Sequence, residues 1–148
     1  PDALEAVLDC RPTRPLDFDR RVRAVSAFLE QTEAFSLAAT NKRIRNLLKK
    51  VETVLPLEVC SELLIEEAEQ ALARRLVELS SEAIQLMENG LYGEALNQLM
   101  HLREPVDAFF DQVLVMANDP VLRDNRIALL NELSSLFLRV ADFSRLRD

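Results

Sequence analysis

Apolar residues recur at helical spacing through most of the chain. The pattern predicts a short helix over residues 4–8. An apolar stripe then follows at offsets of 0, 4, 7 and 11, formed by Phe18, Val22, Val25 and Leu29. These offsets place side chains on one face of an α-helix, because 3.6 residues complete each turn. We expect Asp17 and Asp19 to cap this second helix.

Residues typical of helix ends divide the rest of the chain. They are Phe35-Ser36, Pro56, Asn89-Gly90, Glu104-Pro105 and Asp119-Pro120. The longest apolar stripe between them begins after Ser61 and runs to Leu86, whereas strand-like alternation is confined to residues 112–117. The pattern predicts an all-α fold, a bundle of five to seven helices in one domain over residues 1–148.

Composition narrows the class of protein further. Glycine occurs twice in 148 residues, which argues against β-rich folds and against glycine-loop nucleotide sites. Cys10 and Cys60 are unclustered, and there is neither a signal peptide nor a membrane-length apolar run, so we expect a cytoplasmic protein with no membrane partner. The start at Pro1-Asp2 is what we expect of a piece cut from a longer polypeptide.

Charge is distributed unevenly along the sequence. The net charge of −7 argues by itself against a nucleic-acid partner, yet residues 11–50 hold ten bases and four acids. Two basic stripes lie side by side on one predicted helix: Lys42, Arg45 and Lys49, and next to them Arg43, Asn46 and Lys50. Either this surface is a solvated helix face, or it binds the phosphates of a nucleic acid.

The chain offers few groups for catalysis or metal binding. The single histidine, His101, lies among apolar residues with no serine or cysteine near it in sequence. Cys10, Cys60 and His101 have no metal-ligand spacing, and there is no Glu-x-x-His motif. No phosphate-loop motif is present. We therefore predict no catalytic residue, no metal site and no cofactor in this domain.

Several segments resemble one family of proteins. Residues 40–50, TNKRIRNLLKK, resemble the NKRI-x-NIL-K signature of bacterial glycyl-tRNA synthetase β-subunits. Residues 103–117, REPVDAFFDQVLVMA, resemble that family's L-x-x-PVD-x-FFD-x-VMVMA segment. Residues 122–130, LRDNRIALL, and 136–144, LFLRVADFS, resemble the end of the same subunit. The resemblance covers nearly the whole chain in the same order.

The resemblance implies an all-α anticodon-binding domain of the DALR type at the C-terminus of a β-subunit. That type is shared with arginyl- and cysteinyl-tRNA synthetases. The parent enzyme would attach glycine to tRNA(Gly) as an assembly of two α- and two β-chains. ATP and Mg would be used on the α-subunit, and this domain would recognise tRNA without a catalytic residue of its own.

Candidate tRNA contacts fall into two sets. We expect Lys42, Arg43, Arg45 and Lys49 to bind phosphates, with Arg20 and Arg23 extending the patch and with Asn41 and Asn46 reading base edges. A second set comprises Arg123, Asn125 and Arg126. Asn41 is equally suited to an internal helix cap or a buried hydrogen bond. The alternative for the second set is pairing with Asp119 and Asp124 on the helix surface. We assign Phe109, Phe110 and Phe137 to the core.

Two other interpretations remain open. The domain is alternatively a helical protein-interaction module that docks the α-subunit or the rest of the β-subunit. A third interpretation is the equivalent domain of an arginyl- or cysteinyl-tRNA synthetase, although the PVD-x-FFD and ADFS segments weigh against that assignment.

Overall fold

The structure is a computed structural model that describes residues 2–8, 15–51 and 58–140. Within these ranges it contains seven α-helices, two short 3₁₀ helices and no strand, which confirms the all-α prediction. The helices are α1 (Asp2–Leu8), α2 (Pro15–Leu29), α3 (Thr32–Lys49), α4 (Glu67–Glu88), α5 (Tyr92–Leu99), α6 (Arg103–Gln112) and α7 (Pro120–Leu138). The 3₁₀ helices are Ser61–Leu63 and Met100–Leu102.

The core lies where the long helices meet. Helix α4 packs on α5, α6 and α7, while α2 packs on α1 and α5, and α3 packs on α7. The largest fully buried side chains come from several of these elements, and among them are Leu37, Leu72, Leu96, Leu102, Phe109 and Phe137. Burial of apolar area of this kind is the main source of stability in a helical domain.

Helix α7 differs from the others because it is buried on several sides. Its residues 125–130 are all buried, one after another, although two of them are polar. A helix that is enclosed all round occupies the middle of a domain rather than its surface. None of the helices that the structure describes is long and apolar enough to cross a membrane.

Several helix ends form as the sequence predicts. Asp119 caps α7, with its carboxylate accepting a hydrogen bond of 2.9 Å from the backbone N–H of Val121, and Pro120 follows in the first turn. Gly90 ends the α4 region with φ of 75°, a conformation that favours glycine. The start of α4 was not predicted: Glu66 and Glu69 form a capping box there.

Other predicted boundaries are wrong. The break before α3 falls at Gln31 rather than at Phe35-Ser36, because Glu30 and Gln31 close the end of α2 with short-range turns and need neither glycine nor proline. Helix α2 begins at Pro15, so Asp17 lies inside its first turn and bonds to Arg21 instead of capping.

The long fourth helix also starts later than predicted. It begins at Glu67, since residues 61–63 form a separate 3₁₀ turn before the capping box. The segment at 112–117 forms the end of α6 and a turn, not a strand. The predictions for Cys10, Pro56, Ala141 and the ADFS segment lie outside the described residues.

Candidate nucleic-acid interface

A groove runs along the outer face of α3 and is closed on one side by the loop between α6 and α7. Its volume is about 510 Å³. Three kinds of side chain line it: cationic, amide and apolar. The lining residues are Ala39, Lys42, Arg43, Asn46, Leu47, Lys50, Val51 and Met116. The sequence stripe of Arg43, Asn46 and Lys50 therefore lies along one groove, together with Lys42.

The cations of the groove are free to bind an external anion. No acidic side chain in the described ranges forms an ion pair with Lys42, Arg43 or Lys50. Arg43 and Lys50 are exposed, and Lys42 is half-buried. Because the rest of the chain is acidic, this is a local positive surface on a negatively charged body.

An aromatic ring supports the Arg43 guanidinium. Its central carbon lies 4.4 Å from the centroid of the Phe110 ring, and Phe110 in turn meets the buried Phe109 edge to face, with centroids 5.6 Å apart. A guanidinium stacked on an aromatic ring is attracted to its negative face and loses some of its conformational freedom. Phe110 is half-buried and packs against the core. It therefore supports both the core and the Arg43 side chain of the groove.

The groove also has the chemistry to hold a base. Asn46 is exposed and offers both a donor and an acceptor. Leu47, Val51 and Met116 provide apolar surface, and 54% of Met116 is exposed. Sequence reasoning missed Met116, although its position in the apolar run 113–117, after the last turn of a helix, was the available signal.

The remaining predicted contacts on α3 lie away from the groove. Lys49 is exposed and Arg45 is half-buried, and neither lines it. Asn41 is 2% exposed, and neither polar atom of its amide has a hydrogen-bond partner within residues 2–8, 15–51 and 58–140. Its prediction as a base-reading residue is corrected, because a buried amide presents no edge to a base.

The arginines of α2 do not extend the groove. Arg20 lies against the α4–α5 turn, where a Cβ placed on Gly90 would come within 2.7 Å of its Nη1. Arg23 pairs with Asp19 at 3.0 Å. Neither side chain is among the residues that line the α3 groove, so the structure does not bring the two predicted patches together.

The second predicted set, at the start of α7, is mostly internal. Arg123 is half-exposed and lies 3.9 Å from Asp124, as the surface-pairing alternative expects. Asn125 and Arg126 are each 4% exposed; Asn125 bonds to the backbone of Cys60, and Arg126 bonds to the buried carboxylate of Glu69. Their prediction as RNA contacts is corrected, because each side chain is enclosed by the fold.

Arg21 is another arginine with a structural role. It donates hydrogen bonds to Asp17 and to the backbone carbonyls of Arg139 and Val140 at the end of α7, and it lies over the Tyr92 ring. Burial and a hydrogen bond to Asp17 raise the pKa of Tyr92, against the opposing charge of Arg21. Burial lowers the pKa of Arg21, but the bond and charge of Asp17 outweigh it and raise the pKa overall.

The described residues contain no cluster of three or more side chains able to hold a metal ion. His101 is exposed, beside Arg75, Arg103 and Glu104. Cys60 is a free, exposed thiol. The groove on α3 is thus the surface whose chemistry most resembles a binding site.

Comparison with known proteins agrees with this geometry. The family model of the DALR anticodon binding domain matches residues 37–140, a range that begins on α3 and includes the groove. The chain belongs to the DALR anticodon-binding domain family. Among its relatives are the glycine–tRNA ligase beta subunits of Aeromonas hydrophila, 56% identical over 146 residues, and of Vibrio atlanticus, 53% identical over 147 residues. The corresponding subunit of Glaesserella parasuis is 53% identical over 146 residues.

Each of these matches covers 99% of the DALR chain but 21% of the relative. The chain therefore spans about a fifth of the length of the beta subunits that it resembles.

Proposed function

We propose that this DALR domain recognises the anticodon region of tRNA(Gly) for a glycine–tRNA ligase, and that the α3 groove is its contact surface. The observation that carries the proposal is a set of three cations around apolar side chains: Lys42, Arg43 and Lys50 have no acidic partner among the described residues. It is supported by the membership of the chain in an anticodon-binding family and by the names of its relatives.

The chemistry of the groove suits an anticodon loop. Loop bases are unstacked, and proteins bind them by stacking and by hydrogen bonds to their edges, while the phosphates supply salt-dependent affinity. In this domain Lys42 and Lys50 meet the phosphates, Asn46 meets a base edge, and the Arg43 guanidinium on Phe110 provides a flat cationic surface. The acidic remainder of the chain repels RNA elsewhere and so favours one orientation.

The attachment of glycine takes place elsewhere in the proposed parent enzyme. The α-subunit uses ATP and Mg, the remainder of the β-subunit holds this domain, and two α- and two β-chains assemble in the cytoplasm. The DALR domain contributes binding free energy and discrimination among tRNAs, which an enzyme needs when its reacting groups lie far from the anticodon.

Anticodon exchange tests this function. Fluorescence anisotropy would compare tRNA(Gly) with the same tRNA carrying changed anticodon bases, using the wild-type domain, Arg43→Ala and Arg74→Ala. Arg74 is the matched control, because it is an exposed arginine on α4 and does not line the groove. We expect preference for the native anticodon, weaker binding by Arg43→Ala and no change in Arg74→Ala. Equal binding of both tRNAs by all three proteins would contradict the proposal.

A docking role has one observation in its favour. A shallow groove of about 400 Å³ lies between α4 and α7, and Val77 on its edge is 72% exposed. An exposed apolar side chain of this kind suits contact with the rest of the β-subunit. Val77→Asp in the intact ligase would weaken that contact without affecting tRNA binding by the isolated domain, so the two roles are separable.

A further inference from the structure

The buried Arg126 side chain connects three elements of the domain. Its Nη2 lies 3.0 Å from Oε1 of Glu69 at the start of α4, and its Nη1 donates a 2.6 Å hydrogen bond to the backbone carbonyl of Leu114. The same Glu69 oxygen accepts from the backbone N–H of Glu66 at 3.1 Å. The side chains of Arg126 and Glu69 are 5% and 0% exposed. One guanidinium thus ties α7 and α4 to the loop that closes the α3 groove.

This ion pair is not arranged for maximum stability. Glu69 Oε2 and Arg126 Nε are both buried, and neither has a hydrogen-bond partner in the part of the chain that the structure describes. A buried pair whose hydrogen bonds are incomplete recovers little of its desolvation cost, and apolar residues of similar size often serve stability as well. Stability alone therefore does not account for the ion pair. Its hydrogen bond to the Leu114 carbonyl indicates another role.

The Leu114 carbonyl fixes the position of the groove wall. Val113 and Val115 are buried, which leaves Leu114 and Met116 facing outward, 68% and 54% exposed. Apolar packing decides which residues face the core but is not directional, so by itself it permits the loop to shift along the surface. A short hydrogen bond to a charged donor is directional and holds the backbone two residues before Met116 at a set distance from α7.

We propose that Arg126, held by Glu69, is a positioning residue for RNA recognition: it fixes the Leu114 carbonyl and so places Met116 against α3 as one wall of the groove. The proposal rests on the proposed function, because the groove matters only if RNA binds there. It assigns the buried Arg126 a role in recognition that requires no contact with RNA.

The test removes the bond without leaving an isolated charge. In the double variant Glu69→Gln/Arg126→Met neither partner is charged, and the Gln amide oxygen still accepts from the N–H of Glu66. Because a single Arg126 variant strands the Glu69 charge and risks unfolding, the double variant is the informative one. Leu133→Ala, which removes a buried side chain from the same helix two turns further on, is the matched control for lost stability.

Methyl NMR reads the position of Met116 directly. The wild-type chain has three methionines, so ¹³C-methyl labelling gives three probes, with Met87 and Met100 as internal references. The double variant adds a fourth methyl signal at position 126, which is assigned by its absence from the wild-type spectrum. We expect nuclear Overhauser effects between the Met116 methyl and both Leu47 and Val51 in the wild-type protein and in Leu133→Ala, and their absence in the double variant. The Kd for tRNA(Gly) should rise about tenfold in the double variant alone.

The outcomes separate the two proposals. If the double variant keeps the Met116 Overhauser effects and binds tRNA as the wild type does, the positioning role is overturned while the proposed function stands. If the wild-type domain binds no tRNA, the proposed function fails and the RNA consequence fails with it, although absence of those effects in the double variant would still show that Arg126 places the loop.

Discussion

The outer face of α3 and the first turns of α7 look alike in sequence but differ in the fold. Both combine arginine with asparagine beside apolar residues: Arg43 and Asn46 on α3, Arg126 and Asn125 on α7. On α3 the polar residues line an open groove and have no acidic partner among the described residues. On α7 they are buried, and their side chains form hydrogen bonds with the backbone of Cys60 and Leu114 and with Glu69.

The difference comes from the residues around each pair. On α3 the buried residues, such as Ile44 and Leu48, recur at intervals and leave a continuous polar face. On α7 the pair is followed directly by four buried apolar residues, 127–130, which indicate a helix that is enclosed on several sides. Basic residues beside an uninterrupted apolar run are thus better candidates for structural ion pairs than for ligand contacts.

The largest contrast is expected in stability. Arg126→Ala leaves the carboxylate of Glu69 buried without its charge partner, which costs ~3–5 kcal/mol. Arg43→Ala loses a cation–π contact at an exposed site, and this costs ~0.5–1 kcal/mol. Urea unfolding followed by circular dichroism measures both. Similar free energies of unfolding for the two variants would remove the distinction between the regions.

Substitution of Asn125 and of Asn46 should give a smaller difference in stability, again with the larger loss on α7. The Asn125 side chain accepts from the Cys60 N–H at 2.7 Å and donates to the Cys60 carbonyl at 3.1 Å. Asn125→Ala leaves both backbone groups unsatisfied and should cost ~1–3 kcal/mol. Asn46→Ala, on the exposed face, should change stability by no more than about 0.5 kcal/mol. Thermal unfolding of the two variants at equal protein concentration checks this prediction. A larger loss of stability for Asn46→Ala than for Asn125→Ala would contradict it.

In the salt dependence of tRNA binding we expect the reverse order, with the larger effect from substitutions on α3. Lys42→Ala/Lys50→Ala is expected to lower the slope of log K against log salt by about 0.7–0.9 for each phosphate that the protein no longer neutralises, with little effect on folding. Arg74→Ala on α4 should leave the slope unchanged. Titrations at four salt concentrations measure the effect. A slope that is equal in the wild type and the double variant would show that these lysines do not bind phosphates.

The smallest effect concerns the other end of α7, where Arg21 and Tyr92 meet. The raised pKa of Tyr92 means that the folded protein binds the phenol proton more tightly than the unfolded chain. Its contribution to stability is complete below the unfolded pKa of about 10 and is lost as pH rises through the higher folded value. As pH rises above ~10, the free energy of unfolding of Tyr92→Phe should therefore fall less than that of the wild type.

Absorbance provides a direct check on that prediction, because Tyr92 is the only tyrosine in the chain. The phenolate band should form at higher pH in the folded protein than in urea. Titration of the folded protein at or below the pH found in urea would contradict the direction of the shift.

Much of the fold follows from local signals in the sequence. The spacing of apolar residues predicts the helices, and Asn89-Gly90 and Asp119-Pro120 predict two of their ends, because these residues act through their own backbone and side chains. The break at Gln31 carries no such residue, so tertiary packing decides it. The late start of α4 escapes prediction for a different reason: its capping box is local, but its N-cap, Glu66, is not one of the residue types that usually cap helices.

The candidate site is only partly predictable. The stripe of Arg43, Asn46 and Lys50 is local to one helix, so its spacing is sufficient to find it. Met116 reaches the same groove, and Phe110 reaches its Arg43 side chain, from another part of the chain. Helical periodicity carries no information about such distant contacts. The burial of Asn41 likewise depends on which neighbours cover α3.

Mapping the RNA interface by NMR tests the central claim most directly. The ¹⁵N-labelled domain would be titrated with the anticodon stem-loop of tRNA(Gly), and the backbone amide shifts would be followed residue by residue. We expect the largest changes on residues 39–51 and 114–117, around the α3 groove, and small changes on the outer face of α4. Changes concentrated on α4, or none at RNA concentrations well above those of the protein, would contradict it.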